Sequence, residues 1–199
     1  MSKVYPPKNV RLQQLRESNL NIADFIHFPI NCFDEEVAKK FFEKYHCVSV
    51  RTFATSELLI HATPLKYEMT DFEVVKEFCK EQNKTYNLLM NQVIKIKDAG
   101  ITGKIAWFDN QNYHIDFFYG EGTPRYMDDD HKIDLHTATG SIGNQPQNLD
   151  SQLLSVVEKT KTAISDFRPI IFEFQLYPYD IGMRNEKLIF WEWLSFGGK

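Results

Sequence analysis

Cysteine is scarce in this sequence, basic residues do not outnumber acidic ones, and no long apolar run occurs. Cys32, Cys47 and Cys79 are the only thiols. An odd and widely spaced set offers neither a disulfide framework nor a zinc knuckle, so a reduced, cytoplasmic setting is the default. The formal net charge of −4 argues against a nucleic-acid partner or an anionic membrane surface. No stretch approaches the roughly 20 apolar residues that span a bilayer, so no membrane partner is expected. The opening M-S-K-V-Y-P-P-K has no hydrophobic signal core. Glycine-rich phosphate loops are missing too. Gly140-Ser141-Ile142-Gly143 lacks the preceding strand and the lysine that such a loop requires.

What is present is the material of a folded core. The chain has 199 residues, 14% aromatic and 25% charged, enough for one ordinary domain or two small lobes. Val10–Glu17 reads as a short amphipathic helix, and Ile22–Phe28 as a strand ended by Pro29. Asp34 caps a helix through Tyr45 in which Val37, Phe41 and Phe42 recur at helical spacing. Cys47–Phe53 is a strand, and Leu58–His61 is a candidate for another. Asp71 opens a second helix with Phe72, Val75, Phe78 and Cys79 on one face. From Tyr86 the period changes to two, giving strands at Tyr86–Ile96, Ile101–Phe108 and Tyr113–Tyr119, the last two joined by the tight turn at Asp109–Asn112. Lys132–His136 reads as a short strand. Thr137–Asn148 is rich in small polar residues and reads as a loop, and Leu149–Phe167 as a long helix capped by Asp150 or Ser151. The order predicts an α+β fold with antiparallel sheets flanked by helices, in two lobes, 1–90 and 91–199, hinged within Tyr86–Ile96.

Two stretches carry candidate chemistry. Ile170–Tyr177 and Lys187–Leu194 flank a turn-rich centre with Pro178, Asp180, Gly182 and Asn185, the pattern of a hairpin with a long loop. Each run holds one carboxylate, Glu173 or Glu192, among large apolar residues. Burying an ionised carboxylate costs several kcal/mol unless it is paired or holds a metal. A loop centred near Gly182–Met183 puts the two glutamates opposite each other, where a divalent cation between them would turn repulsion into attraction. The alternative is that each pairs with a buried Arg or Lys, or reaches the rim of the sheet. The other stretch is Ser49–Glu57, S-V-R-T-F-A-T-S-E. Arg51 at a strand end can grip phosphate oxygens through two parallel hydrogen bonds, or can pair with a neighbouring carboxylate.

The second stretch resembles the V-R-S-S-A-T-x-E-D segment in the nucleotide-binding domain of phosphoenolpyruvate synthase and pyruvate phosphate dikinase, members of the wider ATP-grasp group. Other segments follow in the same order. Lys8-x-x-x-Leu12-x-x-Leu15 and Leu20–Phe25 are similar to the family's opening lysine, helix and strand. Leu88–Val93 resembles the strand entering the hinge where adenine sits, and Ala99–Ile105 the strand after it. Ile171-Phe172-Glu173-Phe174 is similar to the family's D-I-E-W, and Leu188–Glu192 to its terminal I-L-Q strand. The family's glycine-containing S-F-A-G loop has no counterpart; His61–Pro64 stands near its place. The resemblance implies an ATP-grasp-like domain that takes ATP and Mg²⁺ as cofactors. It implies phosphate contacts from Lys8 and Arg51, with Lys104 a further candidate, a contact to the base near Gln92, and magnesium ligation by Glu173 and Glu192. Phosphoryl transfer or ligation to an unidentified acceptor follows as the expected activity, and a degenerate nucleotide-binding or protein-interaction module as the alternative.

Three weaker patterns complete the reading. His114 and Asp116 share a strand face and with His136 would make a two-His-one-carboxylate iron site. Asp128–His131 is an acidic cluster, a cation site or a solvated loop. Trp107, Trp191, Trp193 and Tyr179 would form an exposed aromatic patch if the last strand lies at a sheet edge.

Overall fold

The computed structural model describes residues 6–53, 63–123, 133–147, 149–164, 166 and 168–195. The expected strand at Leu58–His61, the residues Thr55–Glu57 and the acidic cluster at 128–131 lie outside them. The chain divides into two compact units, one formed by residues 23–94 and the other by residues 1–22 with 95–199. Residues 1–22, expected with the first lobe, group instead with the C-terminal unit. Helix α1 (Lys8–Glu17) and the segment after it make their side-chain bonds to the final hairpin.

The continuous unit, residues 23–94, is a four-stranded antiparallel sheet in the order β1-β4-β2-β3, from β1 (Phe25–Phe28), β2 (Val48–Phe53), β3 (Leu65–Met69) and β4 (Asn87–Gln92). Helices α2 (Glu35–Tyr45) and α3 (Phe72–Gln82) join them. Each helix starts where its capping aspartate says it should. Asp34 accepts from the Val37 N–H at 3.0 Å and Asp71 from the Glu73 N–H at 2.9 Å, satisfying donors that the first turn leaves without a partner. Phe41, Val75, Phe78 and Cys79 of the helices meet Phe28, Val48, Val50, Leu88 and Met90 of the sheet in one core. Burial pushes the Cys79 thiol up to about 12, which keeps it protonated and inert.

The discontinuous unit is built on a five-stranded antiparallel sheet, β7-β6-β5-β8-β9. Its strands are β5 (Ile101–Trp107), β6 (Asn112–Tyr119), β7 (His136–Ser141), β8 (Ile170–Ile181) and β9 (Glu186–Ser195). One face carries Trp107, Tyr113, Ile115, Phe172, Phe174, Phe190 and Trp193, all fully buried. Helix α4 (Ser151–Thr160) lies on that face, where Trp107 Nε1 donates to Thr160 Oγ1 at 2.9 Å. The alternate residues of each strand form the opposite face, which is where the polar side chains gather.

Three expectations change here. The segment expected as a loop from Thr137 begins as strand β7, because Thr137, Ala138 and Thr139 alternate outward and inward against β6. Helix α4 is shorter than Leu149–Phe167. The Arg168 guanidinium donates to the carbonyls of Thr160 and Lys161 and so supplies partners that another turn of helix would have given. The hairpin loop is tight rather than long. β8 continues to Ile181 past Pro178, at the place where its register with β9 slips between Leu176 and Ile181, one of the few positions where a strand tolerates proline.

Asn21 anchors that turn. Its Nδ2 donates to the carbonyls of Ile181, Glu186 and Leu188 at 2.8, 3.2 and 3.0 Å, and its Oδ1 accepts from the Arg184 N–H at 2.7 Å. Gly182 turns the chain there at φ +81°, where a Cβ would stand 2.8 Å from that Oδ1 and 2.9 Å from the Ile22 carbonyl.

Candidate functional site

The register of the five-stranded sheet puts Thr137, Asp116, Lys104, Glu173 and Glu192 side by side in one row across its polar face. Glu173 and Glu192 face each other directly, as expected, although the turn closes on Ile181 and Glu186 and two register slips in the hairpin set the pairing. Both carboxylates are mostly buried, with side chains 17% and 18% exposed. Cations meet each of them. Lys104 Nζ is 3.9 Å from Glu173, Lys8 Nζ is 2.9 Å from Glu192 Oε2, and the Arg11 guanidinium donates to Glu192 Oε1. Arg11 is itself steadied by the Pro6 carbonyl, which accepts from its Nη1 at 2.7 Å. Three cations thus meet the two glutamates, and Asp116, opposite Lys104 in the same row, brings the formal charge of the row and its cations to zero.

Burial alone would raise the Glu192 pKa. The charges of Lys8 and Arg11, together with their hydrogen bonds, outweigh it and hold the group below its ordinary 4.5. A carboxyl depressed on folding contributes stability above its unfolded pKa and loses it as pH falls through the folded value. Wild-type protein should therefore lose melting temperature below about pH 4.5, and Glu192→Gln should show a shallower acid limb. Asp109 and Glu35 are also held below their ordinary values, so the difference between the two proteins is the quantity to measure. An unchanged acid limb in the variant would refute the coupling.

Beside the acidic pair lies a fully satisfied buried network. Gln175, with no exposed surface, donates to Thr102 Oγ1 at 3.0 Å and to the Gly122 carbonyl at 2.6 Å. Its Oε1 accepts from Tyr177 at 2.9 Å and from Trp191 Nε1 at 2.6 Å. Trp191 occupies the bulge just before Glu192, so the network fixes the strand position from which Glu192 projects.

The residue types suit a magnesium ion. Two hard carboxylates on neighbouring strands match its preference for one or two protein carboxylates completed by phosphate oxygens. Among the described residues no group of three or more acidic, histidine or cysteine side chains gathers, so no all-protein cage is built.

Arg51 and Gln92 belong to the other unit. Arg51 Nη2 lies 3.3 Å from the Tyr67 hydroxyl, with the guanidinium 5.8 Å from the centre of that ring. Among the described residues it has no ion-pair partner, and the neighbouring Glu57 lies outside them. Gln92 is engaged at the end of β4. Its N–H donates to the Asp24 carbonyl at 2.8 Å, and its Oε1 accepts from the Asp24 N–H at 3.2 Å.

The iron site is not formed. His114 bridges Thr139 Oγ1 and Asp116 Oδ1, each at 2.8 Å, whereas His136 stacks on Phe117, a residue of the opposite face. Nor is there an aromatic patch. Trp107 and Trp193 are core residues, Trp191 is held by Gln175, and exposed Tyr179 bonds to Asp98. Arg11 is the site residue that the sequence reading missed. Its signal was the three-residue spacing from Lys8, which puts both cations on one helix face.

No protein-family model matches the chain, and no curated protein does. Solved structures do. D-alanyl-alanine synthetase A of Vibrio cholerae matches with a TM-score of 0.56 at 12% identity, over 96% of this chain and 55% of that one. Bacillus anthracis D-alanine–D-alanine ligase complexed with ATP gives 0.52 at 12%, over 96% and 53%. N5-carboxyaminoimidazole synthase of Aspergillus clavatus, in complex with ADP and an aminoimidazole ribonucleotide, gives 0.54 at 11%, over 94% and 43%. The chain has the ATP-grasp fold of these ligases. It spans about half the length of each. Among its described residues, no helix is long and apolar enough to cross a membrane.

Proposed function

We propose that this ATP-grasp chain binds ATP with a divalent metal at the polar face of its five-stranded sheet and uses it for ATP-dependent ligation or phosphoryl transfer to an acceptor. The observation that carries the reading is the directly opposed pair Glu173 and Glu192, with Lys8, Arg11 and Lys104 gathered on it. Structures of the same fold complexed with ATP and with ADP support a nucleotide as the ligand. In this reading Glu173 and Glu192 hold the metal, and Lys8 and Lys104 neutralise phosphate oxygens. The metal, when bound, supplies charge neutralisation and orientation of those oxygens. The phosphate role of Arg51, the base contact near Gln92 and descent from the dikinase-type nucleotide domain rest on the sequence resemblance alone. Catalysis would come from positioning and from neutralising charge on a transferred phosphoryl group, with little covalent chemistry by the protein.

The test is a thermal shift with ATP and MgCl₂. A ligand at a hundred times its dissociation constant stabilises by about 2.7 kcal/mol, a rise of roughly 5–10 °C for a chain of this size. Glu173→Gln should abolish the magnesium-dependent part of that rise while retaining most of the unliganded melting temperature. A magnesium-dependent shift that survives in Glu173→Gln removes the metal assignment. A second reading, a chain of this fold kept for protein interaction, is favoured by the same ion pairs, because they neutralise both carboxylates without a metal. Absence of any shift at millimolar ATP would select it.

A further inference from the structure

Both oxygens of Glu192 are occupied, one by Lys8 and the other by Arg11. The two cations are held differently. The Arg11 side chain is 11% exposed, and its second nitrogen is anchored on the Pro6 carbonyl. Lys8, one turn earlier on α1, is 26% exposed and carries its charge on a flexible four-carbon stem. A divalent cation cannot take Glu192 Oε2 while Lys8 sits on it, and the two positive charges repel each other. Phosphate oxygens offer Lys8 an equally good acceptor.

We propose that α1 makes the acidic pair a nucleotide-dependent metal site. Without nucleotide, Lys8 and Arg11 close Glu192 against divalent cations. When phosphate oxygens arrive they draw Lys8 away, and Glu192 joins Glu173 in holding the metal. Arg11 stays in place, held on the Pro6 carbonyl and on Glu192 Oε1. The nucleotide therefore binds before the metal or together with it. This inference rests on the ATP–metal reading above.

The test uses Mn²⁺ as the probe, titrated into the full chain and followed by the electron paramagnetic resonance of free Mn²⁺, with and without ATP. Without ATP, wild-type protein should leave the free-ion signal intact at concentrations where Lys8→Met depletes it, an affinity gain of at least tenfold. Lys8→Arg should behave as wild type, because it keeps the charge. Lys8→Met combined with Glu192→Gln should lose the gain, which locates the metal on Glu192. With ATP, wild-type protein should take up Mn²⁺ more than tenfold more tightly than without it, after subtraction of the Mn²⁺ that ATP itself chelates. Arg11→Met gives the same direction as Lys8→Met and guards against a Lys8 variant that fails to fold. The proposal is overturned if wild type binds Mn²⁺ equally with and without ATP, or if removing Lys8 leaves the ATP-free affinity within twofold. The two arms separate the claims. No uptake on adding ATP to wild type overturns the proposal together with the nucleotide reading, whereas ATP-dependent uptake with no gain in Lys8→Met overturns the closure by Lys8 alone.

Discussion

Asn21→Ala should lower the melting temperature by roughly 10 °C, close to the largest effect expected of a single polar side chain in a protein of this size. The residue has no exposed surface, and its amide makes four hydrogen bonds to the turn between β8 and β9. Removing it takes the two N–H donors shared by three carbonyls and an acceptor from the Arg184 N–H, with the Leu188 carbonyl fully buried and the others part-buried. A buried polar group left unsatisfied costs about 1–3 kcal/mol. Even with partial relaxation the total should be near 3–4 kcal/mol by that measure. Asn21→Asp is the sharper control, since it presents a carboxylate to three carbonyl oxygens while keeping the shape. It should be at least as destabilising as alanine. Thermal unfolding followed by near-ultraviolet circular dichroism decides it, and a drop of less than 2 °C in the alanine variant would mean that the turn holds itself together.

A comparable loss is expected from adding a single methyl group at Gly103. A Cβ there would stand 2.3 Å from Phe174 Cζ and 2.8 Å from the Asp116 carbonyl oxygen. The Phe174 ring is fully buried and cannot swing away, and the carbonyl belongs to the neighbouring strand. Overpacking of this kind costs about 1–3 kcal/mol and occasionally more. Gly103→Ala should fall at the upper end of that range and disturb the adjacent Lys104, so loss of stability and loss of nucleotide binding should appear together. Trimming the ring tests the cause. Gly103→Ala with Phe174→Leu should recover part of the lost stability, though not the part due to the Asp116 carbonyl, and the double variant should be more stable than the sum of the two single losses. Strict additivity would show that the ring is not what excludes the methyl group.

These two residues also mark the limit of what sequence reveals. Local signals were readable. Asp34, Asp71 and Asp150 announce their helices because a cap acts within three residues, and the hairpin itself is announced by its turn residues. Opposition of Glu173 and Glu192 depends as well on two register slips that no turn residue signals. Gly103 was readable only as a small residue near a strand start, because its partner, Phe174, is 71 positions away in the chain and on another strand. Asn21 lies between the helix ending at Glu17 and the strand expected from Ile22, and nothing nearby tells that its amide serves residues 181 to 188. Arg11 was hidden by the same distance, since a helical arginine with apolar neighbours gives no hint of a glutamate near the other end of the chain. β7 was missed for a different reason. Thr137-Ala138-Thr139 is too short and too polar to stand out, and it becomes a strand because β6 offers it an edge, a case of tertiary context deciding a weak propensity.

The grouping of residues 1–22 with 95–199 has a consequence for how the chain comes into being. During synthesis α1 leaves the ribosome well before the carboxylate it must meet, which lies 184 positions later. The intervening unit is contiguous and can close on itself as soon as it emerges. The discontinuous unit must keep its first helix waiting, with Leu12 and Leu15 uncovered, until β9 has been made. Closing so long a loop is a slow kind of step, and a nascent chain with apolar surface in the open is the form most exposed to aggregation and to chaperones.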